Sequence, residues 1–159
     1  MNLVRAIDRP RSRRTALRIT PLLYLRLSIG LCFLWFGALK LVPGLSPAEF
    51  IAERTIATLT LGLVHGTSAL VLLALLEMVL GAALVFRIGL RPVLFVLMGH
   101  MLCTLAPMVL FPGEVFTHVP YGLTLLGQYI IKNFVIMSGA WIVLQNLDAG
   151  PSMDRTHAR

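Results

Sequence analysis

Four long apolar runs, each close to the length that crosses a bilayer, constrain this chain more than any other feature of its sequence. They predict helices over residues 22–42, 67–86, 92–111 and 122–147, since a transmembrane helix needs about 20 such residues. Charged residues make up only 13% of the chain, against roughly 25% in soluble domains. The sequence therefore predicts an all-α integral membrane protein, a four-transmembrane-helix bundle without a soluble domain.

The polar segments outside these runs divide the chain into three parts. Residues 1–21 form a basic N-terminal segment, residues 22–147 the membrane domain, and residues 148–159 a polar tail. The tail has too few apolar residues to fold by itself, so it is predicted to be flexible. Residues 112–121 are predicted to form a short loop between the third and fourth runs.

A further short helix is predicted between the first and second runs, over residues 47–60. Ser46-Pro47-Ala48-Glu49 has the pattern of a helix start, with serine as N-cap, proline at the first position and glutamate three residues after the cap. This helix is expected to lie on the outer membrane surface or to cap the bundle. Its carboxylates, Glu49 and Glu53, are expected to face water.

The net charge of +7 is better explained by membrane topology than by nucleic-acid binding. Seven of the fourteen Lys and Arg residues precede residue 27, whereas only Lys40 and Arg54 belong to the opposite side of the predicted membrane. The other arginines on the first side are Arg87, Arg91, Arg155 and Arg159. Because cytoplasmic loops carry the excess of Lys and Arg, both termini are predicted to be cytoplasmic, in a bacterial-type inner membrane. No nucleic-acid partner is expected.

Three ionisable side chains fall deep inside the apolar runs, where a charge is costly and suggests a functional site. Glu77, His100 and Lys132 lie ten or eleven residues from the outer ends of their runs. At ~1.5 Å per residue, all three come about 15 Å deep. We therefore predict that they face the bundle interior at one level. Glu77 and Lys132 are expected within ion-pair range directly, through His100 or through water.

This polar layer has two interpretations. In the first interpretation, Glu77 and Lys132 neutralise each other as a buried pair whose only role is to fix helix packing. Alternatively, the layer binds a polar headgroup or relays protons, with Gln128 and Asn133 as further members. A quinone headgroup suits such a site, because its carbonyls need donors and its reduction needs protons. For Gln128, an interhelical hydrogen bond is the simpler explanation.

The first run also carries a stripe of residues at alternating steps of four and three, which follow one helix face. The stripe consists of Arg26, Gly30, Phe33, Gly37 and Lys40. Its two glycines allow a neighbouring helix to approach closely, so the stripe is interpreted as a packing face. Trp35 lies off the stripe and deeper than an interfacial position, so it faces either lipid or a cavity.

The remaining reactive side chains show no catalytic or metal-binding pattern. Cys32 and Cys103 are far apart and form no CxxC pair, which disfavours a thiol-exchange enzyme. A haem with two axial histidines is a poor fit, because only His100 lies within a run. His65, His118 and Glu114 lack metal-ligand spacing, and solvated loop histidines explain them better. No metal site is expected.

Two stretches resemble the DoxX family of small membrane proteins. Between Leu25 and Leu41 the chain has an arginine followed by a glycine and then Trp/His-x-Gly-x-x-Lys, which are recurring elements of the family's opening helix. These elements are Arg26, Gly30, Trp35, Gly37 and Lys40. Gly127-Gln128-Tyr129-Ile130-Ile131-Lys132-Asn133 resembles the GQYxxKN stretch of DoxX-like and related DUF417-type proteins, and Phe111-Pro112-Gly113-Glu114 is similar to the loop before it. The resemblance covers roughly residues 22–147.

The resemblance implies a four-helix membrane bundle linked to redox physiology. The related DoxD type is a subunit of thiosulfate:quinone oxidoreductase, and other members are tied to oxidative stress. The positions that match the family's polar pattern are Lys40, Gln128, Lys132 and Asn133. The expected function is therefore a redox-associated subunit that interacts with quinone or anchors a partner oxidoreductase. It would work with partner subunits or as a homo-oligomer, without a cofactor evident in the sequence and without autonomous enzyme activity.

Two other functions remain open from the sequence. A small transporter or channel component would use the polar layer for a solute or a proton, and would have a water-accessible cavity that reaches it. A purely structural accessory subunit would have a fully packed bundle with Glu77 and Lys132 paired. A quinone-binding subunit would instead open towards lipid.

Overall fold

The computed structural model describes residues 20–148. The predicted basic segment before Thr20 and the predicted flexible tail after Asp148 lie outside the described residues. The elements in chain order are α1 (Pro21–Leu39), α2 (Glu49–Leu59), α3 (Gly66–Phe86), α4 (Leu90–Cys103), α5 (Pro107–Leu110), α6 (Pro112–Val115), β1 (Phe116–His118), β2 (Gly122–Leu123), α7 (Leu125–Ile131) and α8 (Asn133–Asp148).

Four segments of the described chain are helical, long and apolar enough to cross a membrane. They are Pro21–Leu39, Gly66–Phe86, Leu90–Leu110 and Leu125–Leu147. The prediction of four such helices is confirmed, while their insertion into a membrane stays a prediction. Successive segments alternate in direction, so Thr20 and Asp148 lie at one end of the bundle, called here the termini end. The opposite end, called the α2 end, carries α2 and the segment from α6 to β2.

The third and fourth segments are interrupted, although the sequence predicts each as one helix. α4 stops at Cys103, a few residues before Pro107, because proline has no N–H to donate and its ring clashes with the preceding turn. α7 stops at Ile131, and Lys132 forms its C-cap before α8 starts at Asn133. The two interruptions are joined, because Asn133 Nδ2 donates a 2.7 Å hydrogen bond to Thr104 Oγ1.

The closest helix pair is α1 and α3, which run antiparallel with their backbones nearly touching. A Cβ placed on Gly81 would lie only 2.7 Å from the carbonyl oxygen of Gly30. A Cβ on Gly37 would lie 3.0 Å from the carbonyl oxygen of Ala74. Towards the termini end, Arg26 Nη1 donates to the carbonyl of Leu84 in the last turn of α3. The glycines of the predicted stripe therefore pack against α3, and the partner glycine is Gly81.

Helix α2 is observed, but it begins at Glu49, two residues later than predicted. Its N-cap is Ala48, which forms no side-chain cap bond, so the predicted Ser46 cap is wrong. Glu49 Oε2 instead accepts a hydrogen bond from the N–H of Gly44, at 2.8 Å. Glu53 Oε1 accepts one from the N–H of Gly66, at 3.0 Å, at the start of α3. The two carboxylates thus hold the loops on either side of α2 rather than simply facing water.

The segment predicted as a loop over residues 112–121 is more ordered than expected. It contains α6 and the strand β1, which pairs antiparallel with β2 in a small hairpin. Thr124 connects this hairpin to α7, since its Oγ1 accepts from the N–H of Gly127 at 3.1 Å and its N–H donates to the carbonyl of Val115. Apart from this hairpin the regular elements of the described chain are helices, as the predicted all-α class requires.

The buried core lies between α1, α3, α4 and α8. Its members include Ile29, Phe33, Leu80, Leu84, Leu94, Leu97, Met101, Ala140, Val143 and Leu144. The outward faces of these helices are also apolar, with Trp35 and Val79 65% and 64% exposed and Phe95 60% exposed. A water-soluble bundle would place polar residues there, so these faces fit an apolar surrounding. Trp35 belongs to this outer surface and does not face the bundle interior.

The α1–α3 contact predicts that Gly81→Ala lowers the free energy of unfolding by about 1–3 kcal/mol, because the new methyl group forces the backbones apart. Gly99→Ala is the matched control, since Gly99 is an exposed helical glycine whose added methyl group would meet nothing within 4 Å. Its replacement should be neutral or stabilising by up to about 1 kcal/mol. Denaturant unfolding in detergent micelles measures both. Equal stability of the two variants would contradict the close α1–α3 contact.

Candidate functional site

The strongest candidate site surrounds Glu77, a buried carboxylate on the core-facing side of α3. Glu77 is only 7% exposed, and its Oε2 lies 2.6 Å from Nζ of Lys40. Both side chains are 9% exposed in this ion pair. A buried charge is tolerated only when it is paired and hydrogen-bonded. The ion pair with Lys40 therefore compensates the cost of burying the Glu77 carboxylate in the core.

Lys40 reaches Glu77 because α1 ends beside the middle of the antiparallel helix α3. Gly37 contacts Ala74 and Glu77, so the last turn of α1 lies beside the middle of α3 rather than beside its start. Lys40 forms the C-cap of α1, and its Nζ donates a second hydrogen bond to the carbonyl of Phe36, at 3.3 Å. The ammonium is thus held between a helix-terminal carbonyl and a carboxylate, both of which favour a cation there.

His100 completes the cluster from α4. Its Nε2 lies 3.4 Å from Glu77 Oε1, which is ion-pair distance without hydrogen-bond geometry. Its ring meets Phe33 edge to face, with centroids 5.9 Å apart. The side chain is 7% exposed, and Nε2 is a buried polar atom with no hydrogen-bond partner in the described chain. Lys40, Glu77 and His100, called here the Lys40–Glu77–His100 cluster, thus join three helices around one carboxylate.

The structure overturns the predicted pairing of Glu77 with Lys132. Lys132 is exposed, and its ammonium lies 5.0 Å from the ring centroid of Tyr129, on the outer surface of the bundle. Gln128 is exposed as well. Counting residues gave a height along each helix but not the direction in which a side chain points. Helix α7 also begins only at Leu125, three residues after the start of the run from which the depth was counted.

Asn133 lies inside the bundle but takes a different role from the one predicted. Its side chain is half-buried and bonded to Thr104, as described above. It therefore joins the two interrupted helices rather than Glu77. Of the predicted layer, the structure brings together Glu77 and His100, and it places Gln128, Lys132 and Asn133 elsewhere.

The contact between Lys40 and Glu77 was missed from the sequence, where Lys40 was predicted only as a packing position and a family-motif match. One signal was available, because Lys40 lies on the same helix face as Gly30 and Gly37. A face with two glycines must meet a neighbouring helix closely, and a lysine on that face must then find an acceptor on that neighbour. Glu77 is the only acidic residue within α3.

The loop histidines do not gather into a metal centre. Across residues 20–148, no three His, Cys, Asp or Glu side chains lie close enough together to hold a metal ion. His118 stacks on Tyr121, with centroids 6.4 Å apart. Glu114 instead lies 3.8 Å from Arg54, whose guanidinium covers the Phe111 ring at 4.2 Å. This exposed contact connects α2 to the start of α6.

Neither of two surface grooves on the described bundle is lined by the cluster. The larger, of about 390 Å³, is an apolar groove between α4 and α8 that includes Met98, Met137 and Trp141. The smaller, of about 220 Å³, lies at the termini end and includes Arg26 and Arg87. The cluster is therefore packed among helices rather than placed on the wall of either groove.

The burial of the cluster predicts a large difference between the two ion pairs formed by Glu77 with Lys40 and by Glu114 with Arg54. Glu77→Gln leaves the Lys40 ammonium buried without its counter-charge, which should cost about 3–5 kcal/mol of stability. Glu114→Gln, the matched control, breaks a pair whose side chains are 48% and 51% exposed and should cost at most about 1 kcal/mol. Thermal and denaturant unfolding in the same detergent compares them. A Glu77→Gln variant as stable as Glu114→Gln would refute the buried pair.

Comparison with known proteins found no matching family model, no matching curated protein and no matching solved structure.

Proposed function

We propose that this chain is a four-span membrane protein that serves as a redox-associated subunit, interacting with a quinone or anchoring a partner oxidoreductase. The membrane location is supported by the four long apolar helices and by their apolar outer faces. The arginine distribution favours cytoplasmic termini and a bacterial-type inner membrane. The resemblance of residues 25–41 and 127–133 to DoxX proteins supports the link to redox chemistry.

The observation that carries the quinone proposal is the unpartnered Nε2 of His100. Leaving a buried polar atom without a hydrogen bond costs about 1–3 kcal/mol, a cost that a bound hydrogen-bond acceptor would remove. A bound carbonyl would accept a hydrogen bond from this nitrogen. The adjacent Lys40–Glu77 pair would stabilise charge on the reduced headgroup and supply a carboxylate that exchanges protons with it.

The exposed polar residues of the α7 segment support the second part of the proposal, the anchoring of a partner. Gln128, Tyr129 and Lys132 present an amide, a phenol and an ammonium on an otherwise apolar surface. Polar groups on a membrane-spanning segment are costly in lipid and are satisfied by contact with another polypeptide. A partner subunit with acceptors at this level, or a second copy of this chain, would meet that requirement.

A structural accessory subunit is the alternative that one observation favours, namely the tight pairing of Glu77 with Lys40. In that case the cluster only holds α1, α3 and α4 together. Replacement of His100 would then change stability and leave quinone binding undetectable in every variant. Neither of the two grooves described above supplies a path to the cluster for a transported solute, and neither forms the lipid-facing opening to the cluster expected of a quinone site.

Quinone interaction is tested by replacing His100 with an apolar ring of similar size. The full-length protein is placed in nanodiscs with ubiquinone or menaquinone, and binding is measured by quinone extraction and by photoaffinity labelling. His100→Phe should weaken binding by about tenfold, the effect of losing one hydrogen bond worth about 1.4 kcal/mol. The control His118→Phe alters an exposed histidine at the end of β1 and should bind like the wild type. Equal quinone binding by the two variants, or no quinone binding by the wild type, would refute the quinone proposal.

Topology is tested by single-cysteine labelling in intact cells. Cys32 and Cys103 are first replaced by serine, and cysteine is then introduced by Ser46→Cys or by Ser152→Cys. The four-span arrangement places residue 46 outside and residue 152 in the cytoplasm, so an impermeant maleimide should label only the first. Labelling of both sites from the same side would refute an even number of spans.

A further inference from the structure

The termini end of the bundle holds a basic pocket that the proposed function does not use. It is the cavity of about 220 Å³ that lies between α1, the turn from α3 to α4, and α8. Arg26, Arg87 and Asn146 form its polar wall, and Leu23, Leu90 and Val143 form part of its apolar wall. Guanidinium groups beside aliphatic side chains give the pocket the character of a site for an amphiphile.

Within residues 20–148, the described contacts leave part of the hydrogen-bonding capacity of both arginines unused. Arg26 uses Nη1 to bind the carbonyls of Leu84 and Val85, but a guanidinium has five N–H donors. Arg87 follows α3 directly, is exposed, and lines the same pocket as Arg26, so the like charges of the two guanidinium groups repel each other. No carboxylate whose side chain the structure describes lies within ion-pair distance of Arg26 or Arg87.

The charge of the pocket comes from these arginines rather than from the helix ends around it. α1 and α4 begin at this end, whereas α3 and α8 finish there. The partial positive charges of two N-termini therefore meet the partial negative charges of two C-termini and roughly cancel. Two guanidinium groups that repel each other remain, and an anion between them would remove that repulsion.

We propose that this pocket binds a phosphate group, held by Arg26 and Arg87, and that the phosphate belongs to the headgroup of an anionic phospholipid. Guanidinium groups bind phosphate through paired hydrogen bonds, and basic pockets between membrane helices recognise such headgroups. The cavity is smaller than the ~300–1,000 Å³ of pockets that enclose whole ligands. It therefore fits a headgroup whose acyl chains remain in the bilayer. The assignment rests on the membrane location proposed above and is independent of quinone binding.

The test uses the full-length protein in nanodiscs of phosphatidylcholine with a minor fraction of phosphatidylglycerol. Native mass spectrometry measures which lipids stay bound after release into detergent. Arg87→Gln should lower the apparent affinity for phosphatidylglycerol by about tenfold. Arg26→Lys keeps the charge but loses the planar fork, and should also weaken retention. Arg54→Gln, at the α2 end, is the control and should leave retention unchanged; all variants keep the same N-terminal arginines.

A second arm separates a lipid headgroup from free phosphate. Binding of inorganic phosphate to the protein in pure phosphatidylcholine nanodiscs is followed by ³¹P NMR, with the same variants. Arg87-dependent retention of phosphatidylglycerol that millimolar phosphate does not displace supports the lipid assignment. Arg87-dependent phosphate binding without any preference for phosphatidylglycerol overturns the lipid assignment and supports a site for free phosphate. Equal lipid retention by Arg87→Gln and Arg54→Gln, without phosphate binding, overturns the pocket altogether.

Discussion

The close contact between α1 and α3 is the constraint on which the rest of this structure depends. Gly30, Gly37 and Gly81 remove the side chains that would separate the two backbones. At one end of the contact Arg26 binds the final carbonyls of α3, and at the other Lys40 binds Glu77. The sequence stripe on α1 therefore works as a single packing face with a basic side chain at each end. Van der Waals packing and such polar contacts are the forces available to helices in an apolar medium.

The Lys40–Glu77–His100 cluster follows from that contact. Because α1 stops beside the middle of α3, Lys40 at its C-cap places its ammonium next to the buried carboxylate of Glu77. His100 approaches the other carboxylate oxygen from α4, with its Nε2 buried and unpartnered within the described chain. A cluster of this composition contains a donor for a carbonyl, a carboxylate for a proton and an ammonium for a developing negative charge. These are the groups that the proposed interaction with a quinone headgroup requires.

The sequence predicted the number of long helices, the existence of the short helix α2 and the packing role of the glycine stripe, because apolar length and glycine spacing depend on local chain properties. It also selected Glu77 and His100, since an ionisable group in an apolar run is expected to face the interior; Lys132, selected by the same argument, is exposed instead. The sequence did not predict the counter-ion of Glu77, because that pairing depends on how the helices pack against one another. Lys132 was chosen as the counter-ion because its counted depth matched that of Glu77, although depth does not give the direction in which a side chain points.

The sequence also missed the interruptions of the third and fourth segments. Pro107 ends α4 early, and Asn133 Nδ2 donates a hydrogen bond to Thr104 Oγ1 between the two interruptions. The break at Lys132 separates α7 from α8, and Lys132 lies beside Tyr129 on the outer surface. Lys40 meets Glu77 because of how far α1 is shifted along α3. The packing of Gly30 against Gly81 fixes that shift. Because this contact involves two helices, the sequence of either helix alone does not predict it.

The most direct test of this account is a pair of double-mutant cycles on unfolding free energy, one between Lys40 and Glu77 and one between Lys132 and Glu77. Methionine replaces either lysine, and glutamine replaces the glutamate. The structure predicts a coupling free energy above about 1 kcal/mol for the first pair, because the residues are in direct contact, and near zero for the second. A larger coupling for Lys132 than for Lys40 would contradict the arrangement of the bundle and of its buried cluster.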